Sequence, residues 1–184
     1  MSITINEDSI YKNDNLVMHR DVTLYENSCA DLVAKNGGNI LEVGFGLGIS
    51  ADKIQTHNPD KHVIIEIEED IYNKALDWAK DKPSVEVILG DWKSTVQNIT
   101  DKFDGVYMDA DQDDPEDLEA FSSDIKNICN NNCILIQTAW GFNSNIYKNK
   151  NTYKTITLDD NTKKWYYDDT LDIIYATLTD NEWI

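Results

Sequence analysis

Positive charge is what this chain has least of. Its 16 Lys and Arg stand against 34 Asp and Glu in 184 residues, a formal net charge of −18. A protein that grips DNA or RNA needs a basic footprint to displace counterions from phosphates. The longest basic cluster here is the pair Lys163-Lys164, so no nucleic-acid partner is expected. An acidic surface attracts cations instead, which suits a small cationic substrate or a basic protein segment, although acids also serve plain solubility. Cysteine is scarce as well. Cys29, Cys129 and Cys133 form an odd set without a framework, as in a reducing cytoplasm. No histidine or further cysteine is placed to complete a site around Cys129 and Cys133, so no metal is expected. Met1 to Asn15 is polar and acidic, with none of the apolar core of a secretory signal. No run approaches the length of a membrane span. These absences predict a cytoplasmic protein without a membrane partner. The length suits one domain with its own core, residues 1–16 forming a short N-terminal arm. Oligomeric state is not legible.

What is present is concentrated in Ile40-Leu41-Glu42-Val43-Gly44-Phe45-Gly46-Leu47-Gly48. This reads as a buried strand that stops at a glycine-rich turn and passes into a helix. Gly44, Gly46 and Gly48 let the backbone turn tightly and approach a ligand, and the following helix presents free N–H groups to an anion. Such a turn opens a Rossmann-like nucleotide site. A second apolar run, His62-Val63-Ile64-Ile65, ends in Glu66. A carboxylate about 20 residues beyond the turn accepts hydrogen bonds from both hydroxyls of a ribose. Glu42, just ahead of the turn, is suited to an ammonium group rather than a phosphate. One acid for a ribose and another near an amino-acid head describe S-adenosylmethionine better than a nicotinamide dinucleotide.

Strand-like and helix-like segments alternate, which predicts a largely parallel sheet. Asp21 to Lys35 carries Val22, Tyr25, Cys29, Leu32 and Val33 at amphipathic-helix spacing, and Gly37-Gly38 ends it. Strands are expected at Asn39–Val43, His62–Glu66, Val85–Leu89, Phe103–Asp109 and Cys133–Thr138. Helices are expected from Ile49 to about Thr56, Asp70 to Lys80, Trp92 to Ile99 and Leu118 to Asn127. Tyr153–Leu158 and Lys164–Leu178 then give two strand-like runs with no long helix between them, and Asp159-Asp160-Asn161 suits a hairpin turn. The expected fold is α/β: a mostly parallel seven-stranded sheet with helices on both faces and an antiparallel C-terminal hairpin.

With these residues in place, the chain resembles the guanidinoacetate and arginine N-methyltransferase branch of the class I S-adenosylmethionine-dependent methyltransferases. The matches run in order: Val17-Met18, Gly44-Phe45-Gly46 with Ile49, His62 to Glu66, Asp77-Trp78-Ala79, Gly90-Asp91-Trp92, Phe103-Asp104-Gly105, Asp109, Trp140-Gly141 and Tyr166-Tyr167. The resemblance implies that Gly44, Phe45, Gly46, Leu47, Gly48 and Ile49 wrap the methionine part of the cofactor, with Met18 packed nearby. It implies that Glu66 holds the ribose, with Ile67 and Glu68 beside the adenine and Asp91 and Trp92 flanking that ring. Trp92 and Met18 also read as ordinary core residues.

Asp109 is the candidate for chemistry, because ligands gather at the carboxyl ends of strands in open α/β sheets. A carboxylate there can hold a guanidinium or ammonium, and take up its proton as a new N–C bond forms. In the family a second acid on the first helix helps clamp the guanidinium, and the matching position here is Val22. Asp21 sits next to it but points about 100° away on a helix. Asp21 and Thr138 are the remaining substrate-side candidates. Two further departures are Ala110-Asp111-Gln112, where the family has an aromatic residue and proline, and the short segment ahead of Val17. The acidic loop Asp109 to Asp117 lacks the glycine and closing glutamate of a calcium loop, and reads as a solvated loop or a cation-attracting rim.

The resulting expectation is an S-adenosylmethionine-dependent N-methyltransferase for a small cationic amine or guanidine. Its rivals are an inactive cofactor-binding scaffold and an aminopropyl transferase or lyase using the same cofactor.

Overall fold

Ile40 to Val43 and Val63 to Ile65 are aliphatic runs without polar alternation, apart from Glu42, as strands covered on both faces require. In the computed structural model, which describes residues 2–110, 115–137, 151–157, 170–180 and 182–183, they become the middle of a parallel block. These are β4 (Asn39–Val43) and β5 (Lys61–Glu66). Beside β5 lies β6 (Val85–Leu89); beside β4 lies β7 (Phe103–Met108), followed by β8 (Cys129–Gln137). All four of these pairings are parallel. Chain order therefore leaves β4 in opposite directions, towards β5 and β6 on one side and β7 and β8 on the other. That reversal opens the crevice where ligands of such sheets sit.

The C-terminal part is antiparallel, as expected. β10 (Thr170–Thr179) runs against β8, pairs with β9 (Asn151–Thr157) along its first half and with β11 (Glu182–Trp183) at its end. Seven strands follow one path across the sheet, and β9 joins β10 as an eighth. The sheet is the one expected: mostly parallel, seven strands along one path, with an antiparallel C-terminal part.

Helices cover both faces. α1 (Thr23–Val33) packs on the face of Ile40, Tyr107, Ile134 and Ile136, together with Ile54 of α2 (Ile49–Gln55). The opposite face, with Leu41, Val43, Val106 and Met108, buries Trp92 of α4 (Trp92–Thr95) and Phe121 of α5 (Pro115–Asp124). α3 (Glu69–Ala79) turns Ile71 and Ala75 inward. Among the described residues no helix is long and apolar enough to cross a membrane.

Three elements differ from expectation. The N-terminal arm folds as a three-stranded antiparallel meander, β1 (Ile3–Ile5), β2 (Ser9–Lys12) and β3 (Asn15–His19). Its strands are too short and too polar to show alternation in the sequence; Ile10 is their buried anchor. The first helix begins later than Asp21, because Arg20–Val22 forms a 3-10 turn and His19 Nδ1 accepts the Asp21 N–H. β8 begins at Cys129 rather than Cys133: it absorbs a register shift opposite Phe103–Gly105, with Asn132 at φ 69°. The hairpin turn Asp159-Asp160-Asn161, Trp140-Gly141, Tyr166-Tyr167 and Thr138 lie outside the described residues, as does 111–114 of the acidic loop.

Candidate functional site

The glycine turn and Asp109 meet at the mouth of the crevice. Asp109 donates its N–H to the Val43 carbonyl at 2.9 Å, and Gly44 donates to Ile65 O at 2.8 Å. The end of β4 is thereby clipped to both neighbouring strands. Gly44 sits at φ 92°, and a Cβ there would fall on the Asp109 carbonyl oxygen. Backbone crosses backbone at this point, so only glycine fits. Gly44→Ala is expected to destabilise by about 2 kcal/mol or more, from strain and overpacking together. A thermal melt reads that loss.

Around the turn, Phe45, Leu47 and Ile49 point into the core with Ile10 and Val22, and Phe45 stacks at a tilt 5.4 Å from Trp78. Their backbone is what lies at the site. Met18 reaches over the turn from β3: its sulfur accepts the Leu47 N–H at 3.3 Å and stands where a Cβ on Gly46 would be. The expected neighbourhood of Met18 and Gly44 to Ile49 is thus present in space.

Glu66 ends β5 with its carboxylate held from both sides. Oε2 accepts the Phe45 N–H at 2.9 Å and Oε1 the Glu68 N–H at 2.8 Å. Each oxygen keeps a further lone pair. Beside it Ile67 is 61% exposed and Leu89, its neighbour on β6, 45%. Both leave apolar surface exposed at the ends of β5 and β6, near the carboxylate. Glu68 closes the edge through an ion pair with Lys12 of β2 at 2.7 Å.

Four candidates are engaged elsewhere. Glu42 is fully buried; one carboxylate oxygen accepts from Ser50 Oγ, and the other lies 2.9 Å from His62 Nε2. Gln55 Nε2 meets His62 Nδ1 at 3.1 Å, so the chain Ser50–Glu42–His62–Gln55 ties β4, α2 and β5 together behind the turn. Asp91 is exposed and caps α4 by accepting the Lys93 N–H. Trp92 is buried edge-on against Phe121, ring centroids 5.1 Å apart. Asp21 lies in the 3-10 turn with its carboxylate 3.1 Å from His19 Nδ1.

One residue of the site went unnoticed in the sequence. Glu26 of α1 is only 3% exposed, and its carboxyl is hydrogen-bonded to Asp109. The Tyr107 hydroxyl donates to its Oε2 at 3.1 Å. Burial, and then the Asp109 carboxylate, push Glu26 well above the usual carboxylate range; the Tyr107 hydroxyl opposes this. Burial and the same two acids push the Tyr107 phenol up too. The signal that could have found it is spacing: Glu26 lies one helical turn beyond Val22, on the same face.

Comparison with known proteins identifies the family of this chain. The family model for guanidinoacetate N-methyltransferase matches residues 8–157. A protein arginine N-methyltransferase 2 from Yarrowia lipolytica is 34% identical over 119 residues, 60% of this chain and 25% of that protein. Its namesake from Saccharomyces cerevisiae is 36% identical over 93 residues, 48% of this chain and 23% of that protein. The chain thus spans about a quarter of the length of these curated relatives. Among solved structures, spermidine synthase from Thermotoga maritima superposes with TM-score 0.67 at 12% identity, covering 92% of this chain and 65% of that one. The N-methyltransferase NodS from Bradyrhizobium japonicum gives TM-score 0.66 at 12% identity, covering 87% and 97%. At such identities the structures speak for the fold.

Proposed function

Since the chain belongs to the guanidinoacetate N-methyltransferase family, we propose that it is an S-adenosylmethionine-dependent N-methyltransferase acting on a small cationic guanidine or amine. The observation that carries this reading is the main-chain clip between Asp109 and the end of β4, by which Asp109 lies beside the glycine turn.

The residues present fit the cofactor. Glu66 offers two oriented oxygens to a ribose diol, and the exposed apolar residues Ile67 and Leu89 near it suit an adenine ring. The turn from Gly44 to Ile49 and Met18 would hold the amino-acid end. Glu42 supports that turn from behind through Ser50 and His62. Asp91 shapes the same edge by capping α4, with Trp92 as the packing beneath it. When bound, S-adenosylmethionine supplies an electrophilic methyl carbon.

The protein's share is alignment and proton handling. A direct displacement needs the attacking nitrogen held in line, which is where a positioned acid has its largest effect. Asp109 holds the substrate cation through charge-assisted hydrogen bonds. It then accepts the proton that nitrogen must lose, leaving the methylated product to depart.

Calorimetric titration with S-adenosylmethionine and S-adenosylhomocysteine tests the first half, and methyl transfer to guanidines, amines and polyamines the second. Micromolar cofactor binding with a methylated nitrogen product is the expected result. Absence of binding at millimolar ligand overturns the reading. An aminopropylated product would assign the spermidine synthase type of reaction instead, and binding without turnover a scaffold. Glu66→Gln swaps one acceptor oxygen for a donor facing a backbone N–H. It is expected to weaken S-adenosylhomocysteine binding by about tenfold or more, read by the same titration.

A further inference from the structure

The start of β8 takes a detour that brings two thiols together. Phe103 pairs with Cys129 and Gly105 with Ile134, so β7 advances two residues while β8 spends five. Two extended steps cover about 7 Å and five would cover about 16 Å, so the segment from Cys129 to Ile134 folds back on itself. Asn132, at φ 69°, makes the turn. Cys133, one residue short of Ile134, is thereby returned towards Cys129, into the range of about 4.4–6.8 Å between Cα atoms that a disulfide spans. Both side chains enter one core cluster with Phe103 and Leu135, whereas Cys29 belongs to the cluster under α1. In keeping with this, a hydrogen bond with Cys129, and then burial, push the Cys133 thiol up.

The detour is held from outside as well. Asn130 Nδ2 donates to Asp104 Oδ1 at 2.8 Å, and Asn131 Oδ1 accepts the Asp180 N–H at 3.2 Å. Asp104 Oδ2 in turn accepts the Asn39 N–H at the start of β4. Asn131 and Asn132 are exposed, while Cys129 is 7% and Cys133 0% exposed. The thiols thus lie just beneath a short surface loop, at the end of the sheet opposite Gly44 and Asp109. A buried thiol is ordinarily inert, but local opening of this one loop uncovers both.

We propose that Cys129 and Cys133 form a reversible dithiol–disulfide site that exchanges with a small-molecule disulfide such as oxidised glutathione. The proposal stands on the β7–β8 register and is independent of the methyltransferase reading. Cys129, the more exposed of the two, loses its proton to solvent and its sulfur attacks one sulfur of the oxidant. The oxidant's S–S bond breaks, and one glutathione thiolate leaves. Cys133 then loses its proton and displaces the second glutathione from the Cys129 sulfur. Two protein thiols are oxidised to one disulfide and one glutathione disulfide is reduced to two thiols. The two protons that the protein gives up balance the two that glutathione takes. The closed ring fixes the detour between β7 and β10 and leaves the mouth of the crevice untouched.

The test equilibrates the full, folded chain with excess oxidised glutathione, quenches in acid, and counts free thiols by alkylation and mass spectrometry. The three thiols of the reduced chain are expected to fall to one, that of Cys29. The tryptic peptide from Asn127 to Lys148, which holds both cysteines, loses two hydrogen atoms and carries no glutathione. Adding dithiothreitol restores the full count. In Cys133→Ser the second step has no nucleophile, so Cys129 is expected to keep its glutathione. The wild-type count decides even if that variant fails to fold. Three thiols remaining in the wild type, a bond that includes Cys29, or a glutathione adduct that persists on wild-type Cys129 would each overturn the proposal.

Discussion

Asp109→Asn leaves S-adenosylhomocysteine affinity within about threefold and cuts methyl transfer by about a hundredfold to ten-thousandfold, the range of a lost general base. The amide keeps the volume and the Asp109 N–H to Val43 O clip that shapes the turn. On the proposed reading, what disappears is the negative charge for the cation and the acceptor for its proton. The first loss raises KM and the second lowers kcat, while the cofactor titration is unmoved. Single-turnover rates with bound cofactor check this, and unchanged turnover would remove Asp109 from the mechanism.

The second large effect is on stability. His62→Leu keeps volume on β5 but strips Glu42 of its partner at 2.9 Å, leaving a fully buried carboxylate with Ser50 alone. Removing one member of a buried polar pair costs about 3 kcal/mol or more, because the other keeps its full desolvation penalty. For a chain of this length that is a fall in melting temperature of about 6–12 °C. A double substitution, His62→Leu with Glu42→Leu, should recover much of the loss. A differential scanning melt of the three variants measures the coupling, and a strictly additive result would show that the pair is not the cause.

The centre of the parallel block, β4 and β5, was legible because both strands are buried on both faces and read as nearly unbroken aliphatic runs bounded by glycine or acid. The turn at Gly44 and the carboxylate at Glu66 were legible for the same reason: each ends such a run. Glu26 was not, since an acid in the middle of an amphipathic helix reads as solvent-facing. Only the fold brings β7 against α1 and closes Tyr107 and Asp109 over it. Glu42 was recognised as chemically unusual, but sequence does not reveal which side of a strand end a carboxylate takes. His62 and Ser50 decide that. The N-terminal meander escaped because its anchoring is distributed: one buried isoleucine, a methionine sulfur over the turn and the Lys12–Glu68 pair.

The main-chain tie between Asp109 and the end of β4 bears on how rigidly the mouth of the crevice is held. Asp109 is locked by backbone bonds to its neighbours and has no freedom to drift. A substitution on α1 can alter what lies against Tyr107 without touching that main-chain tie. The shape of the turn is thus set by main-chain bonds that side-chain changes on the helix leave in place.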